Sequence, residues 1–370
     1  MPQNRPSPIR PPIRHRSGLS NEALLITIIV LSVILAALIT VYAILKAPEK
    51  PTPDNDPPES TPSVEVGGSV PNDDDPLVPQ NPSWVFAPSD PKAFVPVSDS
   101  STVTLAANAI YSNNIIMLDA KTGKVICEYQ PDTVIYPASM TKIMTAIVAC
   151  DLIKDMNDTF VLTNKIVDPL YNEGASMARF KVGVDIPMVD LIYGAMLPSG
   201  ADATAALAIA LGGSEEEFVK LMNKKAEEIG CTQTNFVNAS GLHDDNHYST
   251  VRDMATIMTH AMNNPFLRVV MSAGTYTPKA ALSEGYKALK STWYGQLGSY
   301  VSGEATMLAA KTGYTPEAGN CLASISKTED GREYIIVSAG AYTANSTITG
   351  KNQAFADVEK LCDTYAKKEG

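Results

Sequence analysis

The chain has 370 residues, 29 basic against 40 acidic side chains for a formal net charge of −11, and 45% hydrophobic residues. That is a globular composition whose length allows two domains at most. An acidic chain with no basic stripe, zinc-finger spacing or basic helix is not built to bind nucleic acid, where Lys and Arg must meet phosphates.

The first element in chain order is apolar. From Ala23 to Leu45, 23 consecutive residues carry no charge, and at about 1.5 Å per residue such a helix crosses a hydrocarbon core of roughly 30 Å. A cleaved signal peptide has an apolar region of only about 7–15 residues, so residues 23–45 are expected to be a lasting transmembrane anchor. Arg5, Arg10, Arg14 and Arg16 precede it, whereas Lys46 and Lys50 follow with Glu49 between them. This bias makes residues 1–22 a cytoplasmic tail of a single-pass cell-membrane protein and places everything after residue 46 outside. Of the 26 prolines, 18 lie in residues 1–100, and residues 47–100 hold ten acidic against two basic side chains. Residues 46–100 are therefore read as a disordered tether, too polar to offset its chain entropy and on the order of 40 Å or more from end to end. A folded domain is expected over 101–370. Trp84, Phe86 and Phe94 mark a stretch of tether that could dock on it.

Within that domain, Asn114–Leu118, a turn at Asp119–Gly123 and Val125–Tyr129 read as an alternating β-hairpin. After Pro137, residues Ser139–Leu152 place Met140, Ile143, Met144, Ile147 and Val148 at helical spacing, which predicts one buried face. Pro187 opens a second helix to Leu197. Pro198-Ser199-Gly200 interrupts it, and Ala203–Leu211 continues as a third, leaving Ser199 in a tight loop between buried helices. Ser214 with Glu217 and Thr250 with Asp253 form capping boxes for helices reaching Ile229 and about Met262. Thr306–Lys311, Cys321–Lys327 and Tyr334–Ala341 are strand-like, with Glu329-Asp330-Gly331 turning the last two into a hairpin. A final helix spans about Asn352–Ala366. Strands at both ends with helices between them predict an α+β fold whose antiparallel sheet is built from both ends of the domain around an inserted all-helical block. Cys127, Cys150, Cys231, Cys321 and Cys362 are odd in number and widely spaced, and read as small buried apolar residues.

Ser139 and Lys142 lie three residues apart on one helix face, where a neutral amine could take the serine proton as the hydroxyl attacks a carbonyl. The spacing alone is weak, because Ser89/Lys92 and Ser324/Lys327 share it, but only Ser139 opens an apolar helix. Lys311-Thr312-Gly313 supplies a cation, a hydroxyl and a residue without a side chain, a set suited to a carboxylate and a closely approaching substrate backbone. The same tripeptide at Lys121-Thr122-Gly123 reads as ordinary turn material. What raises the odds is the order: serine helix, serine loop at Ser199, Lys-Thr-Gly strand.

These motifs resemble the serine D-alanyl-D-alanine carboxypeptidases among the low-molecular-mass penicillin-binding proteins. The resemblance is carried by Pro137-Ala138-Ser139-Met140-Thr141-Lys142, Glu173-Gly174-Ala175-Ser176, Leu197-Pro198-Ser199-Gly200-Ala201-Asp202-Ala203, Gly241-Leu242 through His247-Tyr248-Ser249-Thr250, and Lys311-Thr312-Gly313-Tyr314-Thr315, over roughly residues 105–345. It implies a β-lactamase/penicillin-binding-protein-like fold and removal of the terminal D-Ala from peptidoglycan stem pentapeptides, with roles in the cell wall and cell shape. It further implies Ser139 as nucleophile, Lys142 as its base, and Ser199 bonded to Lys142 and passing protons to the leaving amine. Lys311, Thr312, Gly313 and Tyr314 would form the substrate-binding strand, with the N–H groups of Ser139 and Tyr314 as oxyanion hole. β-Lactams would acylate Ser139, and no cofactor or metal is implied. An amine with an ordinary pKa of about 10.4 must be buried and set near another cation to be neutral at pH 7, and Lys311 is the expected cation.

One departure concerns Ala201, which stands where the family usually has Asn and cannot supply an amide. The expected cost is about 1–3 kcal/mol in transition-state binding, unless Asp202 or a water substitutes. The sequence also ends near the catalytic domain, without the C-terminal β domain and amphipathic anchor of many relatives, so the N-terminal helix is expected to do the anchoring. Rival readings are a zinc site at His243 and His247, which lacks the helix and glutamate that spacing needs; a class A β-lactamase, for which Glu173 would be the only candidate acid; and a DD-endopeptidase or a catalytically impaired penicillin-binding sensor or scaffold, which use the same residues.

Overall fold

A computed structural model describes residues 95–294, 304–342 and 353–366 of the chain. The tail, the expected transmembrane helix and the tether up to residue 94, with Trp84, Phe86 and Phe94, lie outside the described residues. Residues 95–100, expected in the tether, already belong to the domain: Val97 exchanges backbone hydrogen bonds with Gly123 and Val125, and Asp99 pairs with Lys124 at 3.3 Å.

Asn114–Asp119 (β2) and Val125–Tyr129 (β3) form the expected hairpin. Thr159–Val161 (β4) pairs with Asp185–Pro187 (β5), and Thr275–Tyr276 (β6) with Leu289–Lys290 (β7), as two small antiparallel ribbons, while Ala305–Thr315 (β8), Gly319–Thr328 (β9) and Glu333–Ala341 (β10) form an antiparallel meander. The hairpin and the meander join when β10 pairs with β2, from Tyr334 opposite Asp119 to Ala339 opposite Asn114. With Val103–Thr104 (β1) the sheet order is β1-β3-β2-β10-β9-β8. It is built from both ends of the domain as expected, except that β1 runs parallel to β3.

Helices cover both faces of this sheet. Ile116 and Leu118 pack toward the helical block, whereas Ile115 and Met117 pack beneath the last helix, Gln353–Tyr365. The strand is therefore buried continuously instead of alternating, as happens when no face meets water.

The helical block consists of Thr141–Leu152 (α1), Asn164–Asn172 (α2), Met188–Met196 (α3), Ala201–Gly212 (α4), Glu215–Glu228 (α5), Val251–Asn263 (α6) and Pro265–Ser272 (α7). Every residue of α1 from Thr141 to Cys150 is buried, a departure from the expected single face. The reason is its position, surrounded by α3, α4, α5 and α6. The α4 alanines allow close approach: a side chain at Gly194 of α3 would collide with Phe180 and press on Ala203. Ser214 Oγ accepts the Glu217 N–H and Thr250 Oγ1 the Asp253 N–H, so both expected serine/threonine caps form. The Asp253 carboxylate instead binds the Gln233 N–H and the Thr234 hydroxyl. All five cysteines are free and buried, and burial pushes the Cys127 and Cys321 thiols up to about 12.

Candidate active site

Ser139 sits in a 3-10 turn, Ala138–Met140, that leads into α1. Ala138 holds φ at +46°, a left-handed conformation that a side chain resists by about 1–2 kcal/mol. Two glycines clamp this turn. A Cβ at Gly241 would collide with the Ala138 carbonyl, and one at Gly313 would lie 3.0 Å from the Pro137 oxygen and 3.1 Å from the Ser139 nitrogen. The Lys-Thr-Gly strand can thus lie directly against the serine turn.

Lys142, one helical turn on, is 2% exposed. Its amine donates to Ser139 Oγ at 2.8 Å and to the Ser240 carbonyl at 2.5 Å. That carbonyl is presented by a turn in which Asn238 Oδ1 accepts the N–H groups of Ser240 and Gly241. Burial lowers the Lys142 pKa to about 7 against the opposing charge of Asp202. Desolvation, not a neighbouring cation, is thus the first cause of its weakened basicity. Lys311 is driven well below its ordinary value, first by burial and then by the Lys142 amine.

Ser199 has φ at +63° in the turn between α3 and α4. Its hydroxyl accepts from Lys311 Nζ at 2.8 Å, whereas the resemblance implied a bond to Lys142. Lys142 instead makes its second bond to the Ser240 carbonyl, and Lys311 reaches the Ser199 loop from β8. The same amine also donates to the Thr312 carbonyl at 2.9 Å. Thr312 Oγ1 lies 2.7 Å from Thr292 Oγ1, and Thr292 donates its N–H to the Leu197 carbonyl. Tyr314 is 63% exposed at the end of the motif. Sequence reasoning thus names Ser139, Lys142, Ser199, Lys311, Thr312, Gly313 and Tyr314, and the fold brings them into one cluster around the Ser139 turn.

Ala201 spends its own N–H on the Ser176 carbonyl at 2.7 Å. Asp202 does not replace the missing amide, because its carboxylate is committed to the N–H groups of Ala178 and Arg179. Sequence reasoning missed the Ser240 carbonyl and Thr292. An Asn-Ala-Ser-Gly turn was a legible signal for the first, but nothing local marks a threonine in the turn that follows the two-residue strand Leu289–Lys290. His247 is buried, with Nδ1 accepting the Val237 N–H and Nε2 2.7 Å from Thr141 Oγ1. Nε2 therefore carries the proton and donates, and burial lowers the ring pKa to about 4. His243 stands edge-on to Tyr136. Glu173 is exposed at the C-terminal end of α2.

An α+β core with a serine turn facing a Lys-Thr-Gly strand is the fold of the penicillin-interacting DD-peptidases. The solved Streptomyces K15 DD-transpeptidase superposes with a TM-score of 0.61 at 29% identity, covering 70% of this chain and 97% of that one. Residues 101–343 match the D-alanyl-D-alanine carboxypeptidase family, and the chain belongs to it. It is 31% identical over 252 residues to D-alanyl-D-alanine carboxypeptidase DacF of Bacillus subtilis, covering 68% of this chain and 62% of the relative. It is also 30% identical over 290 residues to a D-alanyl-D-alanine endopeptidase of Pseudomonas aeruginosa, covering 75% of this chain and 81% of the relative. The aligned region thus spans less than two thirds of DacF, and 42% of DacC of Escherichia coli.

Proposed function

We propose that the protein is a serine D-alanyl-D-alanine carboxypeptidase that removes the terminal D-Ala from peptidoglycan stem pentapeptides through an acyl-enzyme on Ser139. The observation that carries this reading is the buried Lys142 amine, 2.8 Å from the Ser139 hydroxyl and with its pKa lowered to about 7. At neutral pH a large fraction of it is free base. As Ser139 Oγ attacks the carbonyl of the penultimate D-Ala, its proton passes to Lys142 Nζ. The N–H groups of Ser139 and Tyr314 receive the developing oxyanion, where a positioned donor is worth roughly 10²–10³ in rate. Ser199, hydrogen-bonded to Lys311, delivers a proton to the leaving amine, and Lys311, Thr312 and Thr292 hold the terminal carboxylate. Water then hydrolyses the acyl-enzyme with Lys142 again as base. The base must be neutral, so acylation is expected to fall as pH drops below about 7. In the same proposal the uncharged segment Ala23–Leu45 anchors the chain in the cell membrane with the catalytic domain outside.

Endopeptidase action on crosslinks is the second reading, favoured by the longer coverage of the Pseudomonas aeruginosa endopeptidase. The test is D-alanine release from a muramyl pentapeptide ending in D-Ala-D-Ala, by the full-length chain beside its Ser139→Ala variant. Release that the substitution abolishes is the expected result. Cleavage of a crosslinked dimer without release of terminal D-alanine would move the assignment to endopeptidase, and rapid turnover of penicillin would overturn it.

A further inference from the structure

His247, which the sequence sets four positions after His243, has no part in the reaction just described, yet it is buried beside it at 2% exposure. It closes the loop of residues 235–248 between α5 and α6, whose ends meet where Asn235 and Tyr248 exchange backbone hydrogen bonds. Its Nδ1 accepts the Val237 N–H at 3.2 Å from inside that loop, and its Nε2 donates to the Thr141 hydroxyl of α1 at 2.7 Å. A neutral imidazole has one acceptor and one donor nitrogen, so it serves both partners only in the Nε2–H form. The Phe236 ring stands edge-on against it, with 5.5 Å between ring centres.

The loop that His247 closes carries the Ser240 carbonyl. It is clasped to the first two turns of α1 at three points. Thr145 Oγ1 donates to the Ala239 carbonyl at 2.7 Å, Lys142 Nζ to the Ser240 carbonyl at 2.5 Å, and His247 to Thr141. Thr141 and Thr145 have no exposure, so neither hydroxyl can exchange its partner for water without a cost. Glu215 at the start of α5 accepts the Ala239 N–H at 2.9 Å. A shift of this loop is therefore a shift of the Ser240 oxygen relative to Lys142.

That oxygen decides where the amine aims. A neutral amine carries two N–H bonds and one lone pair in a tetrahedral arrangement. With one N–H on the Ser240 carbonyl, the lone pair can face Ser139 Oγ, 2.8 Å away. In the attacking step the serine hydroxyl donates along that line and the lone pair accepts. Without the carbonyl the amine turns about its Cε–Nζ bond and presents the lone pair to Ser139 only part of the time.

We propose, resting on the carboxypeptidase reading, that His247 is a positioning residue for acylation: by bonding Val237 and Thr141 together it holds the Ser240 carbonyl on the Lys142 amine, and so keeps that amine's lone pair on the Ser139 hydroxyl. Among the described residues the His247 side chain bonds Val237 and Thr141, and not Lys311, Thr312 or Thr292. Its effect therefore falls on the acylation step and not on capture of the ligand.

The test is acylation of Ser139 by benzylpenicillin in the full-length chain, read as a limiting rate and a half-saturating concentration. Thr141→Val keeps the shape of the side chain and removes the acceptor for Nε2. It should lower the limiting rate about 10–100-fold, since misplacement by about 1 Å can cost 10²-fold, and leave the half-saturating concentration within about twofold. Thr141→Ser, which keeps the hydroxyl, should recover most of that loss. At the other end of the bond, His247→Gln sets an amide NH2 where Nε2 was and should lose less than His247→Leu, which offers neither bond. A folded Thr141→Val variant with an unchanged limiting rate, or with both quantities displaced together, would overturn the positioning role. So would a Thr141→Ser variant as slow as Thr141→Val, or a His247→Gln variant no faster than His247→Leu. Should the variants fail to fold, the 15N resonances of His247 in the unaltered chain decide. A protonated Nε2 beside a bare Nδ1 from about pH 6 to 9 sustains the proposal, and a protonated Nδ1 overturns it. Failure of penicillin to label the unaltered chain at all would instead strike the carboxypeptidase reading.

Discussion

The same three residues, Lys-Thr-Gly, occur twice in this chain and meet two fates. At 121–123 they close the β2–β3 hairpin, where Asp119 Oδ1 accepts from the N–H groups of Lys121 and Thr122 and from the Thr122 hydroxyl. Lys121 is exposed, and Gly123 serves the backbone with φ at +72°. At 311–313 they lie in β8, paired with Ala323, Leu322 and Cys321 of β9. There Lys311 has no exposure, and Gly313 makes room for the serine turn. What the tripeptide does is decided by its surroundings: a glycine needed for a left-handed turn and a glycine needed for close approach are written with the same letter.

The comparison breaks most visibly at the two lysines. Lys311→Ala should slow penicillin acylation of Ser139 by roughly 10²–10³-fold, as expected for losing a positioned donor. Lys121→Ala should stay within about twofold of the parent, like most surface substitutions. Equal effects would show that the two tripeptides are not distinguished as described.

A finer cut separates the glycines. Gly313→Ala pushes against the Pro137 oxygen and the Ser139 nitrogen and should cost roughly 10–100-fold in acylation, since misplacement by about 1 Å can cost 10²-fold. Gly123→Ala should leave acylation alone. It should lower stability by about 1–2 kcal/mol, the strain of a side chain in the left-handed region, and the midpoint of thermal unfolding would record it.

The smallest effect belongs to the spare Ser-x-x-Lys pair on β9. Ser324 is buried, with its hydroxyl on the Ile336 carbonyl, whereas Lys327 is exposed and 4.0 Å from Glu333. Three residues along a strand put the two side chains on opposite faces. Lys327→Ala is expected to change stability by under about 1 kcal/mol and acylation not at all. A Lys327 variant defective in penicillin labelling would contradict this.

Much of this was legible in advance because it is local. Ser214 and Thr250 announced their helices by side chains that satisfy a nearby N–H, and the Pro198-Ser199-Gly200 break was written in backbone chemistry. The all-round burial of α1 was not legible, because the apolar spacing of Met140, Ile143 and Ile147 cannot say how many neighbours surround a helix. Asn264 capping α7 with Pro265 behind it was a readable start signal that went unused. The pairing of Ser199 with Lys311, and of Lys142 with the Ser240 carbonyl, depends on residues about a hundred positions away. No periodicity carries such information.

The junction of β2 with β10 has a consequence for the order in which the chain becomes competent. Tyr111 and Ser112 give their N–H groups to Asp357, partners 246 and 245 positions apart, and the Lys311 strand that lies against the serine turn is likewise made late. Helical segments can form from local contacts as they leave the ribosome, whereas such distant strand pairing is slow. Ser139 is synthesised long before Lys311 and must wait for it. Nascent chains shorter than about β10 would carry the nucleophile with no wall for a substrate to lie against, so reactivity arrives as one of the last events of folding.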